Sequence, residues 1–328
     1  MPAPQPGEVI LNVKAASICG SDISRFAKGH RTYNLILGHE CAGVISAVGD
    51  GVDADLIGRH AAIIPLVPCF ECAQCQAGHY SACHTYSFIG SRQPGGFAEY
   101  VAMRVTNAFI LPADLSFETA ALIEPATVAR HLLDLGGFAA GQSAAVFGAG
   151  SIGLMAVQWL RILGAPLIVA TDVVDANLDA ARALGAHVTL NPTRDDVPAA
   201  IKQLTGDGVD LALECAGSPQ ALAQTIPVTR PRGNVVCGGN QPLDAALPMA
   251  FIEDLMRREL RLNGCFMSYS APFPGHEWTD TVAALQSGQL DLAAMISHRF
   301  PLSQAPQVFD DIAARRIAFR KIILQPED

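Results

Sequence analysis

The sequence predicts an α/β protein with two domains, one rich in β-strands and one built on a doubly wound parallel sheet. From about residue 8 to residue 110, short β-branched segments alternate with Gly, Pro and Asp turns. From about residue 140, apolar strands, glycine turns and amphipathic helices repeat, which is typical of a parallel sheet covered by helices on both faces. The length of 328 residues is ample for two domains with cores of their own.

The strands of the first domain are predicted at four short apolar segments. In chain order these are EVILNVKAA, AGVISAV, HAAIIPL and FAEYVAM. Because β-branched side chains favour strands while Gly, Pro and Asp favour turns, we predict an all-β lobe for this part of the chain.

The second domain is predicted from alternating strands and helices. SAAVFGAG precedes the helix SIGLMAVQWLRILG, PLIVATD precedes ANLDAARALG, VDLALECAG precedes PQALAQTI, and the strand NVVCGG follows. The alternation stops after LRLNGCF, and we expect the tail to return to the first lobe. The predicted boundaries are 1–125 and 267–328 for the first domain and 126–266 for the second, which is inserted between them.

Composition limits the classes of function. Half of the residues are apolar, as in a folded globular protein, and the net charge of −9 argues against nucleic acid as a partner. The uncharged run from Leu135 to Leu160 is long enough for a membrane span, but six glycines interrupt it, so we predict no transmembrane helix. The N-terminal residues do not resemble a signal peptide, and a cytoplasmic location is expected.

Four of the nine cysteines lie in one segment, PCFECAQCQAGHYSAC. The spacing C-x2-C-x2-C-x7-C brings four thiolates around one point if the chain turns tightly, which predicts a structural zinc site formed by Cys69, Cys72, Cys75 and Cys83. Two disulfides are one alternative, although nothing implies an oxidising compartment. An iron–sulfur cluster is another, but the bacterial run ends C-x3-C-P, and this one has a longer last gap followed by His84. A closed four-sulfur site braces a lobe and performs no chemistry.

A glycine-rich turn predicts a dinucleotide site. VFGAGSIG places Gly148, Gly150 and Gly153 as G-x-G-x-x-G between an apolar strand and a helix, and Asp172 ends the next strand about 20 residues later. Backbone N–H groups at the helix start would face the pyrophosphate, namely those of Ser151 and Ile152. Asp172 would bind the ribose hydroxyls and repel a 2′-phosphate, which predicts NAD rather than NADP. A Rossmann-type sheet without cofactor is the alternative.

Further metal-ligand types are scattered along the chain. SICGSD contains Cys19, LGHE contains His39 and Glu40, and LIEPATV contains Glu124. Mixed sulfur, nitrogen and oxygen ligands from distant segments are typical of an open catalytic zinc site. Taken singly, each residue has a structural interpretation, such as a small core residue, a turn residue or a charge at a helix N-terminus.

In combination, these motifs resemble the zinc-containing medium-chain dehydrogenase/reductase family over nearly the whole chain. Within it the sequence looks most like the polyol, sorbitol dehydrogenase-like branch, and specifically like galactitol-1-phosphate dehydrogenases. The segments that carry this closer likeness are PCFECAQCQAGHYSAC, FIGSRQPGGFAEY, LIEPATV and YSAPFPGHEW. The resemblance implies a GroES-like first domain, a Rossmann second domain, two zinc ions per chain and NAD-dependent oxidation of a secondary alcohol to a ketone.

The resemblance also implies a ligand set for the catalytic zinc. Cys19, His39 and a glutamate would hold the ion, with either Glu40 or Glu124 in contact with it. Relatives that act on simple alcohols have cysteine at the position of Glu124, so this glutamate indicates a polyol substrate. The zinc would lower the pKa of the substrate hydroxyl, and the nicotinamide would accept the hydride.

Other roles follow from the same resemblance. Ser21 would relay the proton toward solvent, Asp22 would orient His39, and Thr127 and Val128 would pack near the nicotinamide ring. Many relatives have a relay histidine two residues after the SD pair, where this chain has Ser24. About 20 residues of the family's first hairpin have no counterpart before EVIL, so either a sheet edge is exposed or the start lies upstream.

A phosphorylated polyol needs a cationic cradle. The candidates are Arg25 and Lys28, which follow CGSD, and Arg92 in GSRQPGG; a solvated surface position is the alternative for each. Tyr269 and Trp278 would either wall the substrate cleft or belong to the core.

Several alternatives stay open at this stage. The substrate is a polyol phosphate, a free polyol such as sorbitol or galactitol, or a smaller diol such as butanediol. An NADP-dependent reductase without catalytic metal and a non-catalytic NAD-binding protein are the competing classes. We expect a homodimer or homotetramer, because Rossmann edges often pair.

Overall fold

The computed structural model describes residues 2–29, 35–242, 244 and 246–327. The chain divides into two compact units, Met1–Pro125 with Tyr269–Asp328, and Ala126–Ser268. The second boundary lies two residues beyond the position inferred from the sequence.

The first part of the chain is dominated by strands. In order it contains β1 (Glu8–Ser17), α1 (Gly20–Lys28), β2 (Glu40–Val48), β3 (His60–Ile63), β4 (Leu66–Val67), α2 (Ala73–Gln76), β5 (Ser87–Phe88), β6 (Tyr100–Arg104), β7 (Ala108–Ile110), α3 (Phe117–Ala121) and α4 (Ile123–Leu135). The unit boundary falls within α4. The short strands β4 and β5 pair with each other and flank the cysteine-rich segment.

The inserted unit alternates strands and helices. It contains β8 (Ala144–Phe147), α5 (Ser151–Ile162), β9 (Ile168–Thr171), α6 (Asp175–Leu184), β10 (Val188–Leu190), α7 (Val197–Thr205), β11 (Val209–Glu214), α8 (Pro219–Val228), β12 (Thr229–Cys237), α9 (Met249–Arg257) and β13 (Arg261–Gly264). The strand order is β10-β9-β8-β11-β12-β13 with parallel pairing throughout, which confirms the predicted doubly wound sheet. The order reverses direction between β8 and β11, so the turns after these two strands frame a crevice.

The tail returns to the first sheet. After α10 (His276–Gln286), β14 (Ile296–Pro301) and α11 (Ala305–Ala313), strand β15 (Lys321–Gln325) pairs antiparallel with the end of β1. The first sheet therefore runs β14-β15-β1-β2-β3-β7, and β6 pairs with the beginning of β1. Its core is formed by side chains such as Val9, Leu11, Ile45 and Val101, which are almost completely buried.

The predicted elements correspond closely to observed ones. EVILNVKAA forms β1, AGVISAV lies in β2, HAAIIPL covers β3 and the start of β4, and FAEYVAM overlaps β6. Several observed elements were not predicted from the sequence, namely α1, α2, α3, α7, α9, α10, α11, β5, β7, β10, β14 and β15. The α1 segment GSDISRFAK is only nine residues long and has few apolar residues, so it gives little helix signal, and its helix is stabilised by capping at Cys19.

No helix in the described ranges has both the length and the apolar character needed to cross a bilayer. The glycine-interrupted run that raised this question is divided between the end of α4, strand β8 and helix α5.

Candidate metal and cofactor sites

The four cysteines of the loop between β4 and β5 converge. The Sγ atoms of Cys69, Cys72, Cys75 and Cys83 all lie within 4.8 Å of one another. The Sγ atom of Cys69 is 3.9 Å from that of Cys75 and 3.5 Å from that of Cys83. A disulfide requires about 2.05 Å, whereas four Zn–S bonds of about 2.3 Å in a tetrahedron place sulfurs about 3.8 Å apart. The spacing therefore fits one tetrahedral ion.

Backbone hydrogen bonds prepare this loop for thiolate ligands. The N–H groups of Glu71 and Cys72 donate to Cys69 Sγ at 3.5 and 3.3 Å, and they lower the pKa of that thiol to about 6. The N–H of Cys69 donates to Cys83 Sγ at 3.3 Å. Because the thiolate is the form that binds zinc, these donors favour the ligand state.

A second cluster joins three of the scattered candidates. Ligand atoms of Cys19, His39 and Glu40 lie within 4.8 Å of one another, although 20 residues separate the cysteine from the histidine. Cys19 caps the N-terminus of α1, His39 immediately precedes β2, and Glu40 is the first residue of that strand. His39 and Glu40 are buried, while Cys19 is half-buried and leaves the cluster open on one side.

Asp22 supports two members of this cluster. Its side chain is fully buried; Oδ2 accepts a hydrogen bond from the Cys19 N–H at 3.1 Å, and Oδ1 lies 3.5 Å from His39 Nδ1. Burial disfavours the charged imidazole, but Asp22 and Cys19 together raise the pKa of His39 well above its usual value. The negative charges of Asp22 and Cys19 thus create an electrostatic potential at His39 that favours a proton and would equally favour a bound metal cation.

Glu40 has a partner that sequence analysis did not predict. Lys321 at the start of β15 donates to both carboxylate oxygens of Glu40 at 2.7 and 2.5 Å, and both side chains are buried. Burial lowers the pKa of Lys321, but the charges of Glu40, Cys19 and Glu124 together with the hydrogen bond to Glu40 raise it above its usual value. No local signal in the sequence connects two residues 281 positions apart.

Replacing Glu40 is expected to destabilise the protein. Glu40→Gln leaves the buried Lys321 ammonium without its counter-charge, so the free energy of unfolding should fall by about 3–5 kcal/mol in denaturant titrations. The control is Glu118→Gln, which removes the partly exposed partner of Arg299 and should cost less than about 1 kcal/mol. The combined change Glu40→Leu with Lys321→Met should recover most of the loss; equal losses in the Glu40 and Glu118 variants would refute this interpretation.

Glu124 is buried beside the cluster. Burial raises the pKa of its carboxyl group to about 7; the charge of His39 opposes this rise and that of Glu40 adds to it. Glu124 is not among the three residues whose ligand atoms converge within 4.8 Å. The structure therefore places Glu40 nearer than Glu124 to a shared ligand position with Cys19 and His39.

Two of the cationic candidates differ in their surroundings. Arg25 donates to Ser21 Oγ at 2.8 Å, and Ser21 in turn donates to Cys19 Sγ at 3.3 Å, so this guanidinium is linked to the cluster. Arg92 stacks on the ring of Tyr86 at 3.8 Å from its centroid and donates to the Tyr86 carbonyl at 2.5 Å. Lys28 is exposed at the end of α1.

The two aromatic candidates lie in the core of their unit. Trp278 is fully buried and Tyr269 is 4% exposed. The Tyr269 hydroxyl accepts the Leu66 N–H at 3.3 Å, and its ring stacks against Phe273 and Trp278. Of the two interpretations considered for these rings, the structure favours the core.

In the inserted unit, each glycine of the fingerprint meets a different steric demand. Gly148 has φ of +96°, and a Cβ there would lie 2.6 Å from Ala216 N; a Cβ on Gly153 would lie 1.9 Å from Gly148 O. A Cβ on Gly150 would meet no described heavy atom within 4 Å. Gly148 and Gly153 are thus required by the protein's own packing, and Gly150 borders open space at the start of α5. Ser151 and Ile152 form the first turn of that helix.

The open space belongs to a cavity of about 650 Å³ over the carboxyl ends of the strands. Gly148, Gly150 and Asp172 line it on one side, and Cys215 and Ala216 on the other. Asp172 accepts the N–H groups of Ala149 and Val174 at 2.8 Å each, which fixes its carboxylate between the first and second strand turns. This is the crevice where doubly wound sheets bind ligands.

Two further residues of this unit are buried. Glu214 ends β11, and its Oε1 accepts the N–H groups of Ala216 and Gly217 at 2.9 and 2.8 Å, which shapes the turn opposite Gly148. Burial raises the pKa of Glu214. Glu214 was not predicted from the sequence, because a strand-end glutamate has no motif of its own. Thr127 and Val128 were expected near the nicotinamide ring. Thr127 is fully buried, with its hydroxyl 2.6 Å from Ser268 Oγ, and it does not line the described cavity. Val128 is half-buried.

Comparison with known proteins decides the family. The zinc-binding dehydrogenase family matches residues 151–287, and the alcohol dehydrogenase GroES-like domain matches residues 5–113. Galactitol 1-phosphate 5-dehydrogenase of Escherichia coli K12 is 37% identical over 323 residues, covering 97% of this chain and 92% of the relative. The chain belongs to the zinc-binding dehydrogenases.

This zinc-binding dehydrogenase has other similar relatives. Sorbitol dehydrogenase of Bacillus subtilis strain 168 is 34% identical, covering 97% of this chain and 90% of the relative. The crystal structure of galactitol-1-phosphate dehydrogenase from E. coli superposes with a TM-score of 0.94 at 36% identity, covering 99% of this chain and 94% of that one. These matches confirm the predicted family, the GroES-like and Rossmann architecture and the dehydrogenase class.

Two similar solved structures contain a nicotinamide dinucleotide, one of them NADP and the other NADH. A putative zinc-binding dehydrogenase from Sinorhizobium meliloti 1021 is bound to NADP; it has a TM-score of 0.92 and 32% identity, covering 99% of this chain and 94% of that one. A protein from E. coli CFT073 described as a short chain alcohol dehydrogenase is complexed with NADH; it has a TM-score of 0.89 and 27% identity, with the same coverage. Family membership therefore implies a nicotinamide cofactor without choosing between the two.

Proposed function

We propose that this zinc-binding dehydrogenase uses NAD and two zinc ions per chain to oxidise a secondary hydroxyl of a polyol or polyol phosphate to the ketone. The observation that carries the proposal is the convergence of Cys19, His39 and Glu40 in one unit, in a chain whose other unit has a glycine-lined cavity beside Asp172. Of the units, Met1–Pro125 with Tyr269–Asp328 would be the catalytic domain and Ala126–Ser268 the NAD-binding domain.

The donor set fits a catalytic zinc ion. One thiolate, one imidazole and one carboxylate are its usual ligand types, and the half-buried side at Cys19 leaves room for a substrate hydroxyl. A zinc ion at this position would make that hydroxyl more acidic, and NAD would accept the hydride. The four-cysteine loop would hold the second, structural ion.

The chain's own residues would prepare and complete this reaction. Asp22 would hold the His39 ring and the Cys19 backbone in ligand geometry. Lys321 offsets the charge of Glu40, while Glu124 adds a further carboxyl group beside the cluster. Ser21 Oγ would accept the proton of the substrate hydroxyl and pass it toward solvent, since it lies at the half-buried side.

Two relatives suggest the substrate class, and Arg25 bears on the choice between them. One relative is named for a phosphorylated hexitol and the other for sorbitol. Through Ser21, Arg25 is linked to the proposed zinc ligand Cys19, and its side chain is 27% exposed, which favours a phosphate-bearing substrate with Arg25 as a contact. Arg25 also lies 3.6 Å from Asp22, which offsets part of its charge and keeps a free polyol as the second candidate.

The proposal is tested by metal analysis combined with a substrate panel. About two zinc ions per chain, and NADH formation from free or phosphorylated hexitols, are expected. Rates with NAD and with NADP identify the preferred cofactor. Rates with matched free and phosphorylated substrates show whether the substrate carries a phosphate. One zinc ion per chain with no turnover on any polyol would overturn the catalytic assignment while leaving the cysteine loop intact.

Cofactor binding at the glycine turn gives a separate prediction. Gly150→Ala adds a methyl group to the open space where the pyrophosphate would approach, so NADH affinity should fall about tenfold or more. The matched control is Gly264→Ala, which also meets no described atom within 4 Å but lies in β13, away from the cavity lining. NADH fluorescence titrations measure both; unchanged affinity in Gly150→Ala would place the dinucleotide elsewhere.

The oligomeric state and the cellular location of the protein belong to the same proposal. We expect a homodimer or homotetramer in the cytoplasm, and light scattering on the purified protein would measure the mass of the assembly.

A further inference from the structure

An ion pair that the proposed reaction does not use lies next in sequence to residues that line the cavity. Arg194, in the turn after β10, donates to both oxygens of Asp175, the first residue of α6, at 2.9 and 2.7 Å. The two hydrogen bonds are parallel and bidentate, which is the strongest geometry for an arginine and a carboxylate. The pair lowers the pKa of Asp175 to about 2.

This pair stands next to the end of the cavity that contains Asp172. Asp172 and Val173, after β9, line the cavity together with Pro192 and Thr193, which immediately precede Arg194. A dinucleotide with its pyrophosphate at Gly150 would have its adenosine ribose near Asp172, as in other doubly wound domains. Arg194 therefore belongs to the turn that flanks the ribose, although its guanidinium is directed to Asp175.

The charges at this end explain why the direction of Arg194 matters. A 2′-phosphate on the ribose is bound in NADP-dependent domains by a nearby arginine, whereas a carboxylate at the end of the second strand favours NAD. This chain has both elements, Asp172 and Arg194, and the S. meliloti relative shows that NADP is compatible with the family. The orientation of Arg194 thus bears on the choice between NAD and NADP.

We propose that Asp175 is a positioning residue for cofactor selection: by holding Arg194 in a bidentate pair, it keeps that cation from a ribose 2′-phosphate and so favours NAD. The inference rests on the proposed function, because it takes the cavity to be the dinucleotide site. Asp172 would act directly on the ribose, whereas Asp175 would act through Arg194.

The turn does not depend on this pair for its shape. Asn191 Nδ2 donates to the Val173 carbonyl at 3.2 Å, and its Oδ1 accepts the Thr193 N–H and hydroxyl at 3.1 and 2.8 Å. The Asn191 N–H donates to Asp195 Oδ2 at 2.7 Å. Removing the charge of Asp175 should therefore free Arg194 without unfolding the turn, and Asp175→Asn keeps an oxygen for its contact with Asn191.

The experiment compares NADH and NADPH binding by fluorescence titration at low ionic strength, without turnover. In Asp175→Asn, Arg194 is free to pair with the 2′-phosphate, so the ratio of the NADPH to the NADH dissociation constant should fall about tenfold. The double variant Asp175→Asn with Arg194→Gln should return to the parent ratio. The control Asp179→Asn breaks an exposed pair with Arg182 on the same helix and should leave the ratio within about twofold.

The outcomes separate this inference from the proposed function. Two results would overturn the role of Asp175 even if NADH binds normally. One is an unchanged ratio of the NADPH to the NADH dissociation constant in Asp175→Asn. The other is a fall in that ratio that persists in the double variant. If the parent protein binds neither dinucleotide, the proposed function fails as well. A stability role alone would shift the melting temperature and leave the ratio unmoved.

Discussion

His39→Ala is expected to remove one of two zinc ions per chain and to lower turnover about a thousandfold or more. His39 is the imidazole ligand of the proposed catalytic site. Its side chain is buried, and its Nδ1 lies 3.5 Å from Asp22 Oδ1. Without it, the ion loses a ligand that Cys19 and one carboxylate cannot replace, and acidification of the substrate hydroxyl, worth several kcal/mol, is lost. Elemental analysis and initial rates of NADH formation measure the two effects.

The matched control is His60→Ala. His60 lies in β3 of the same unit, and its ring packs 4.5 Å from that of Phe117, outside the ligand cluster. It should keep both ions and most of the activity, with only a packing loss. If His39→Ala retained two ions per chain and near-normal rates, the site built on Cys19, His39 and Glu40 would be wrong.

Cys72→Ser is expected to destabilise the first unit strongly. With one thiolate missing, the tetrahedral set of the loop between β4 and β5 is incomplete, and the binding free energy that holds this loop is largely lost. The zinc content should fall by about one ion per chain, and the melting temperature should drop by about 10 °C or more. Differential scanning calorimetry with metal analysis measures both.

Cys265→Ser is the control for the thiol change. Cys265 follows β13 in the other unit and is not part of the four-sulfur cluster. It should keep the zinc content of the parent and shift the melting temperature by only a few degrees. Equal losses of zinc in the two variants would show that the cysteine loop does not bind the ion.

Local sequence signals were sufficient for much of the fold and for two sets of site residues. The strand segments became β1, β2, β3 and β6 because β-branched runs between turn residues form strands in most contexts. The glycine fingerprint and the cysteine spacing were readable because each depends on residues close together in the chain. Short helices such as α1 and α3 were not predicted, since nine and five residues carry little helix signal and such helices depend on capping and tertiary packing.

The catalytic candidates illustrate the limit of sequence reasoning. The types of Cys19, His39, Glu40 and Glu124 suggested a metal site, but composition could not show which of them converge. The structure brings the first three within 4.8 Å and places Glu124 beside them. It also separates the cationic candidates, since Arg25 is linked to the cluster through Ser21 whereas Arg92 rests on Tyr86.

The sequence by itself determined the two-domain α/β class, the cysteine loop, the dinucleotide turn and the identity of the metal-ligand types, because these depend on local pattern and on chemistry carried by each residue. Only the tertiary structure decided the partners, such as Lys321 for Glu40 and Arg194 for Asp175. Such pairs form when chain folding brings distant strands and turns together. The interaction energy of each ion pair then depends on its burial and geometry and not on the spacing of its residues along the chain.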